Sequence, residues 1–160
     1  MPRPDHPLDV EVLQQFRLIF QSVRKHFQSV EKQCGISGSQ LWALARIAQQ
    51  PGQRVTELAR AMAIHQSTAS NLIEDLVRQG LIRRERSQQD QRAVLLHPTE
   101  QGLAVYQRAP QPLRGLLPDA LEKLDPAVLH ALHAQLDTLI RAMGQDVDPK
   151  AKHTPLSDIH

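Results

Sequence analysis

The sequence predicts a mainly α-helical fold carrying one small β-hairpin. Three observations lead there. Apolar residues recur at intervals of three and four along most of the chain, the pattern of helices that bury one stripe. One stretch breaks that pattern: RRERSQQDQRAVLLHP, residues 83–98, reads as two short extended runs around the polar turn Ser87-Gln88-Gln89-Asp90-Gln91. Aromatic residues make up only 3%, so the core has to come from Leu, Val, Ile and Ala.

Length and composition narrow the class. The 160 residues suit one domain, or one small domain with dimerising extensions. An apolar content of 41% with 22% charged residues fits a globular protein rather than a disordered chain. The longest apolar run, Leu41–Ala45, is too short for a membrane span or a signal-peptide core, so no membrane partner and a cytoplasmic location are expected. The single cysteine, Cys34, forbids an intrachain disulfide. Net charge is only +2, but five arginines (78, 83, 84, 86 and 92) stand against Glu85 and Asp90 between residues 78 and 92. That local excess is larger than the charge of the whole chain, and it points to a polyanionic partner.

The proline-rich opening MPRPDHP predicts an extended arm. Leu13, Phe16, Phe20, Val23, Phe27 and Val30 form a narrow stripe of coiled-coil type on a first helix ending near Cys34-Gly35. Ser37 or Ser39 can cap a second helix carrying Leu41, Leu44, Ile47 and Ala48, which stops at Pro51-Gly52. Thr56 is the expected cap of a short third helix through Leu58, Ala59 and Met62. After the break Ala63-Ile64-His65, a fourth helix runs from Gln66 to about Gln79 with Ala69, Leu72, Ile73, Leu76 and Val77 inward and Gly80 as its C-terminal stop. Strands are expected at Leu81–Arg86 and Arg92–His97. Thr99 restarts a helix, prolines 110, 112 and 118 interrupt the segment after it, and Asp125-Pro126 opens a last helix whose stripe reaches Met143. The tail beyond Gly144 has no periodicity and is expected to be loose.

Short helix, tight turn, amphipathic helix and hairpin together make a helix-turn-helix followed by a wing. The exposed face of the fourth helix opens with Gln66, Ser67, Thr68, Ser70 and Asn71, short hydrogen-bonding side chains suited to base edges and phosphates. The arginine hairpin comes directly after it. The stretch VTELARAMAIHQSTASNLIEDLVRQGLIRRERSQQDQRAVLLHPTEQG resembles the winged-helix core of the MarR family of bacterial transcriptional regulators, closely over residues 37 to 105 and more loosely in the flanking helices. The resemblance implies that Ser67, Thr68, Ser70 and Asn71 face the major groove of double-stranded DNA. It further implies that Arg92 reaches the minor groove, that Asp90 holds Arg92 or the turn backbone in register, and that Arg84 and Arg86 approach the phosphates. A guanidinium is always charged and weakly hydrated, which suits a narrow negative groove. The tip without glycine suggests a longer loop that orders on DNA.

The chain departs from the family pattern at several positions. Ala63 stands where glycine is common, His65 where serine is common, Pro98 where leucine is usual, and the prolines at 110, 112 and 118 fall where a continuous helix is usual. The expected organisation is an arm and dimerisation helix (1–35), a winged helix-turn-helix (36–100), C-terminal dimerisation helices (101–145) and a flexible tail (146–160). One recognition helix reads few base pairs, so a homodimer on a pseudo-palindromic site is expected, as a repressor. The resemblance also implies a small aromatic or amphipathic effector, with His26, Phe27, Trp42 and Arg46 as candidate ligand contacts. His130 and His133 lie three apart but lack a third ligand at suitable spacing, so a solvated helix face is expected and no metal or cofactor. Cys34 reads as a quiet thiol. No catalytic constellation is present, so an enzyme is not expected; a winged helix used for protein–protein contact is the alternative.

Overall fold

The computed structural model describes residues 7–160, and the arm expected at the N-terminus lies, apart from Pro7, outside the described residues. Helix α1 spans Leu8–Cys34 and ends where Gly35 turns left-handed, at φ 70°, and donates its N–H to the Glu31 carbonyl. Helix α2 (Gly38–Gln49) begins with a full capping box: the Ser37 hydroxyl accepts from the Gln40 N–H, and the Gln40 side chain accepts from the Ser37 N–H. Helices α3 (Val55–Met62) and α4 (Gln66–Arg78) come next, then strands β1 (Ile82–Arg86) and β2 (Val94–Pro98). Helices α5 (Glu100–Arg108), α6 (Leu116–Glu122) and α7 (Pro126–Met143) complete the main elements, and three short 3-10 turns cover Gly144–Asp146, Pro149–His153 and Leu156–Asp158.

The fold is mainly α with a two-stranded antiparallel sheet, as the hydrophobic spacing predicts. Its core gathers on α2. Leu41, Leu44 and Ile47 are fully buried among Val30 of α1, Leu58 of α3, Ile73 and Leu76 of α4, and Ile82 and Leu96 of the strands. Each such side chain contributes about 1.5–3 kcal/mol by leaving water. The strands pair from Ile82 with Pro98 to Arg86 with Val94. Leu96 also bridges to Gln53: its N–H donates to the Gln53 carbonyl and its carbonyl accepts from the Gly52 N–H, both at 2.8 Å. The wing is therefore fixed to the α2–α3 connection as well as to itself.

The join between wing and α5 is firm despite Pro98. The Thr99 hydroxyl donates to the Gly80 carbonyl at 2.6 Å and accepts from the Gly102 N–H at 3.0 Å. The Leu81 backbone passes so close that a Cβ at position 102 would lie 1.9 Å from the Leu81 carbonyl oxygen, which explains glycine there. The prolines sort by position. Pro110 and Pro112 fall between α5 and α6, and Pro118 sits in the first turn of α6, where its missing N–H would have no helical acceptor.

Four sequence expectations need correction. Helix α3 starts at Val55 with Arg54 at its N-cap and no side-chain cap, so Thr56 lies inside the first turn rather than capping it. Strand β2 starts at Val94, leaving Arg92 in the hairpin tip. That tip is not an open loop. Ser87 Oγ accepts from the N–H groups of Gln89 and Asp90, and Asp90 Oδ1 accepts from the Arg92 N–H at 3.1 Å, so two side chains close a turn that has no glycine. The tail is not loose: Pro155 is buried, and Ser157 and Asp158 bond to Ser39 of α2.

Ala63, at the C-cap of α3, has φ 54°, a left-handed conformation that alanine tolerates poorly. Ala63→Gly should raise stability by about 0.5–1 kcal/mol, because relief of strain exceeds the added freedom of the unfolded chain. A rise in the urea midpoint at unchanged slope is the expected reading; an unchanged or lower midpoint would show that the turn carries no strain.

Candidate nucleic-acid interface

Helix α4 buries Ala69, Leu72, Ile73 and Leu76, which leaves Gln66, Ser67, Ser70 and Asn71 together on its exposed side; Thr68 is half-buried at the edge. His65 at the N-cap makes no side-chain cap, and no acid lies in the first turn. The first-turn amide donors and the positive end of the helix dipole thus have no acidic side chain in their own turn, an arrangement that attracts anions.

The wing divides its arginines by pairing. Arg83 and Glu85 lie on one strand face at 2.7 Å, with His97 3.4 Å from the same carboxylate oxygen. Arg84 lies on the other face and reaches back to Glu74 of α4 at 2.8 Å. Arg86 and Arg92 have no carboxylate partner among the described residues, and both are exposed. Asp90 does not touch the Arg92 guanidinium; it holds the Arg92 backbone and lies 4.0 Å from Arg54 at the start of α3. The expected DNA-facing residues therefore occupy two neighbouring surfaces, the start of α4 and the wing, joined by the Arg84–Glu74 pair.

Two residues escaped the sequence reading. Glu74 lies three and four positions beyond Asn71 and Ser70, so helical spacing alone puts it on the recognition side, next to Arg84 only once the wing has folded back. Arg54 carries no such signal, because its link to Asp90 depends on the Gln53–Leu96 bridge.

The candidate ligand contacts do not stay together. Phe27 lines a groove of about 700 Å³ between α1 and the tail, with Ile19, Phe20, Val23 and Leu117. Phe27 and Trp42 share a second cavity of about 260 Å³ beside Met62, Ala63 and Ile64. His26 and Arg46 line neither. Trp42 Nε1 and Arg46 Nε are buried without a hydrogen-bond partner among the described residues. His130 and His133 are exposed on α7, and among the described residues no group of three or more metal-binding side chains is assembled. Cys34 is buried at the end of α1; burial pushes its thiol up, and Arg108 draws it part of the way back.

Hydrogen bonding and charge from Arg84 hold the Glu74 carboxyl below its ordinary range, and Arg83 does the same for Glu85. Because the folded value is the lower one, the stabilising contribution is present above the ordinary carboxylate value and fades as pH falls through the lowered one. Arg84→Ala should move the Glu74 titration upward, followed by carboxyl carbon NMR. No movement would mean that the pair does not persist in solution.

Comparison with known proteins places this geometry. The sequence model of the MarR family matches residues 36–94, from the turn before α2 to the start of β2. The HTH-type transcriptional regulator BilQ of Clostridium symbiosum is 28% identical over 111 residues, covering 69% of this chain and 74% of BilQ. Among solved structures, a Staphylococcus aureus MepR–DNA complex superposes with TM-score 0.57 at 23% identity, covering 81% of this chain and 96% of MepR. Streptococcus pneumoniae FabT in complex with DNA gives 0.55 at 18%, covering 83% and 95%. The winged helix-turn-helix at the centre of this chain is thus similar to the MarR-family domain over residues 36–94.

Proposed function

We propose that the protein is a homodimeric transcriptional regulator that binds a pseudo-palindromic duplex site, acting as a repressor. One observation carries the reading: a carboxylate-free helix start bearing Gln66, Ser67, Ser70 and Asn71 sits on the same domain as a wing whose Arg86 and Arg92 have no acidic partner among the described residues. Such a surface matches a groove flanked by phosphates. In this reading the α4 side chains meet base edges, Arg92 enters the minor groove, and Asp90 orders the Arg92 backbone. The DNA-bound neighbours of the same fold support the assignment. A regulator of this kind is not an enzyme, and with a DNA target it belongs in the cytoplasm.

Dimerisation is supported by what the single chain leaves uncovered. Helix α7 has no buried residue, and Val128, Leu129, Leu139, Ile140 and Met143 are exposed. So are Leu13, Leu18, Ile19 and Phe20 of α1, apolar side chains that a second copy would cover. The domain plan rests on the same surfaces: winged helix at 36–100 with dimerising helices before and after it. The apolar groove at Phe27 supports a small amphipathic effector that releases DNA.

Duplex binding should weaken steeply with salt, the log–log slope being about −0.9 per phosphate neutralised. Arg92→Ala should lose about 1–3 kcal/mol of binding with unchanged melting temperature, and Asp90→Ala less. Unfolding of Arg92→Ala would make that arginine structural, and failure to bind any duplex would leave a protein–protein module as the reading. Leu139→Asp with Ile140→Asp should lower the mass seen in sedimentation equilibrium to that of one chain; an unchanged mass would place the dimer elsewhere.

A further inference from the structure

The C-terminal segment 149–160 forms a strap across the winged helix, and each end of it answers a specific need. Ser37 and Gln40 satisfy each other in the capping box of α2, which leaves the N–H of buried Ser39, one of the unbonded first-turn amides, to find an acceptor elsewhere. Ser157 Oγ supplies it at 2.9 Å, while the Ser39 hydroxyl donates to Asp158 Oδ1 at 3.0 Å. Asp158 thereby sits at the positive end of α2. The approach is close: a Cβ on Gly38 would meet Ser157 Cβ at 3.2 Å. At the other end, the His153 ring lies 4.8 Å from the ring of His65, the N-cap of α4, and its Nδ1 is 3.4 Å from the Ala63 carbonyl in the α3–α4 turn.

His153 closes a short 3-10 helix, Pro149–His153, whose N-terminal amide at Lys150 donates to Asp148 Oδ1 at 3.0 Å. Its Lys150 and Lys152 are exposed, and neither has a carboxylate within ion-pair distance among the described residues. Lys152 shares the cavity edge with Ala63 and Ile64. The strap therefore carries two exposed lysines on the turn that His153 ties to the α3–α4 connection, Lys152 beside Ala63 and Ile64, just before the N-terminal end of α4.

We propose that this strap is part of the duplex interface: docked through Ser39, it holds Lys150 and Lys152 against phosphates flanking each half-site. The inference rests on the duplex-binding reading, and it adds a contact that neither the helix nor the wing supplies. Lysine suits the role, since a compact, mobile ammonium contacts phosphate as a point charge and reads no base.

The test is a salt titration of the full-length protein on a duplex that it binds. Lys150→Gln with Lys152→Gln should reduce the magnitude of the log–log slope by about 1–2 per strap, at about 0.9 for each phosphate no longer neutralised. Ser157→Ala with Asp158→Ala should give the same reduction although both lysines remain, because the strap is no longer held; circular dichroism checks that the fold is intact. Affinity should fall uniformly over operator variants. An unchanged slope in the lysine variant overturns the proposal. A reduced slope there with none in the docking variant overturns the role of the Ser39 anchor. Absence of wild-type binding to any duplex would overturn the underlying reading instead.

Discussion

Everything in this molecule is arranged around the burial of one twelve-residue helix. In α2, Ser39, Leu41, Ala43, Leu44, Ala45 and Ile47 are all buried, so the helix has scarcely any free side. Helix α1 lies against its start; α3, α4, α5 and β2 pack along the rest. Alanine at 43 and 45 lets neighbouring backbones approach, and Leu41, Leu44 and Ile47 fill the space between them. Since α4 and β2 both rest on α2, the recognition helix and the wing are fixed relative to each other by apolar packing. The polar groups that face outward can then be chosen for binding. Removing a core leucine would cost about 2–5 kcal/mol, a large part of the stability of such a domain.

Charge on this frame is sorted by geometry. Exposed ion pairs contribute little stability, so the pairs at Arg83–Glu85 and Arg84–Glu74 matter more for where they leave charge than for energy. Glu74 stands on the side of α4 that carries Ser70 and Asn71, where an unpaired carboxylate would repel phosphate. Arg84 neutralises it. The wing arginines that remain unpaired, Arg86 and Arg92, sit near and at the tip, farthest from the core. Within the wing, internal pairing thus leaves the uncompensated positive charge near and at the tip.

The parts of this arrangement legible in the sequence are those that depend on neighbours three or four residues away. The stripe of α4, the Ser37 cap, the stop at Gly80 and the alternation of the wing all belong to that class. Four arginines in a hairpin after a polar helix start are enough to locate the candidate interface. Long-range relations are not legible. Nothing local in LSD at residues 156–158 announces that Ser157 will satisfy an amide of α2, because the demand arises only when Ser37 and Gln40 have used each other. The same holds for Arg54 and Asp90, which the Gln53–Leu96 bridge brings near each other. Alternation alone starts β2 two residues early, since side-chain closure of the turn holds Arg92 and Ala93 outside the strand and leaves no mark on the pattern.

Helix α1 ties these features into one mechanical unit. Its C-terminal end, at Val30 and Cys34, is buried in the winged core, while Leu13, Leu18, Ile19 and Phe20 stand in solvent. A 27-residue helix is about 40 Å long, at about 1.5 Å per residue, so it runs from the winged core to its exposed apolar end without a joint. A displacement of its exposed end would then be passed to α2 and to the elements that rest on it. Phe27 marks the crossing point, because its ring packs on Gly38 at the start of α2 and lines both cavities under the tail. A molecule bound there would press on α1, on α2 and on the strap together. In the proposed dimer, the separation of the two α4 helices, which has to match one turn of duplex, would respond to that pressure directly.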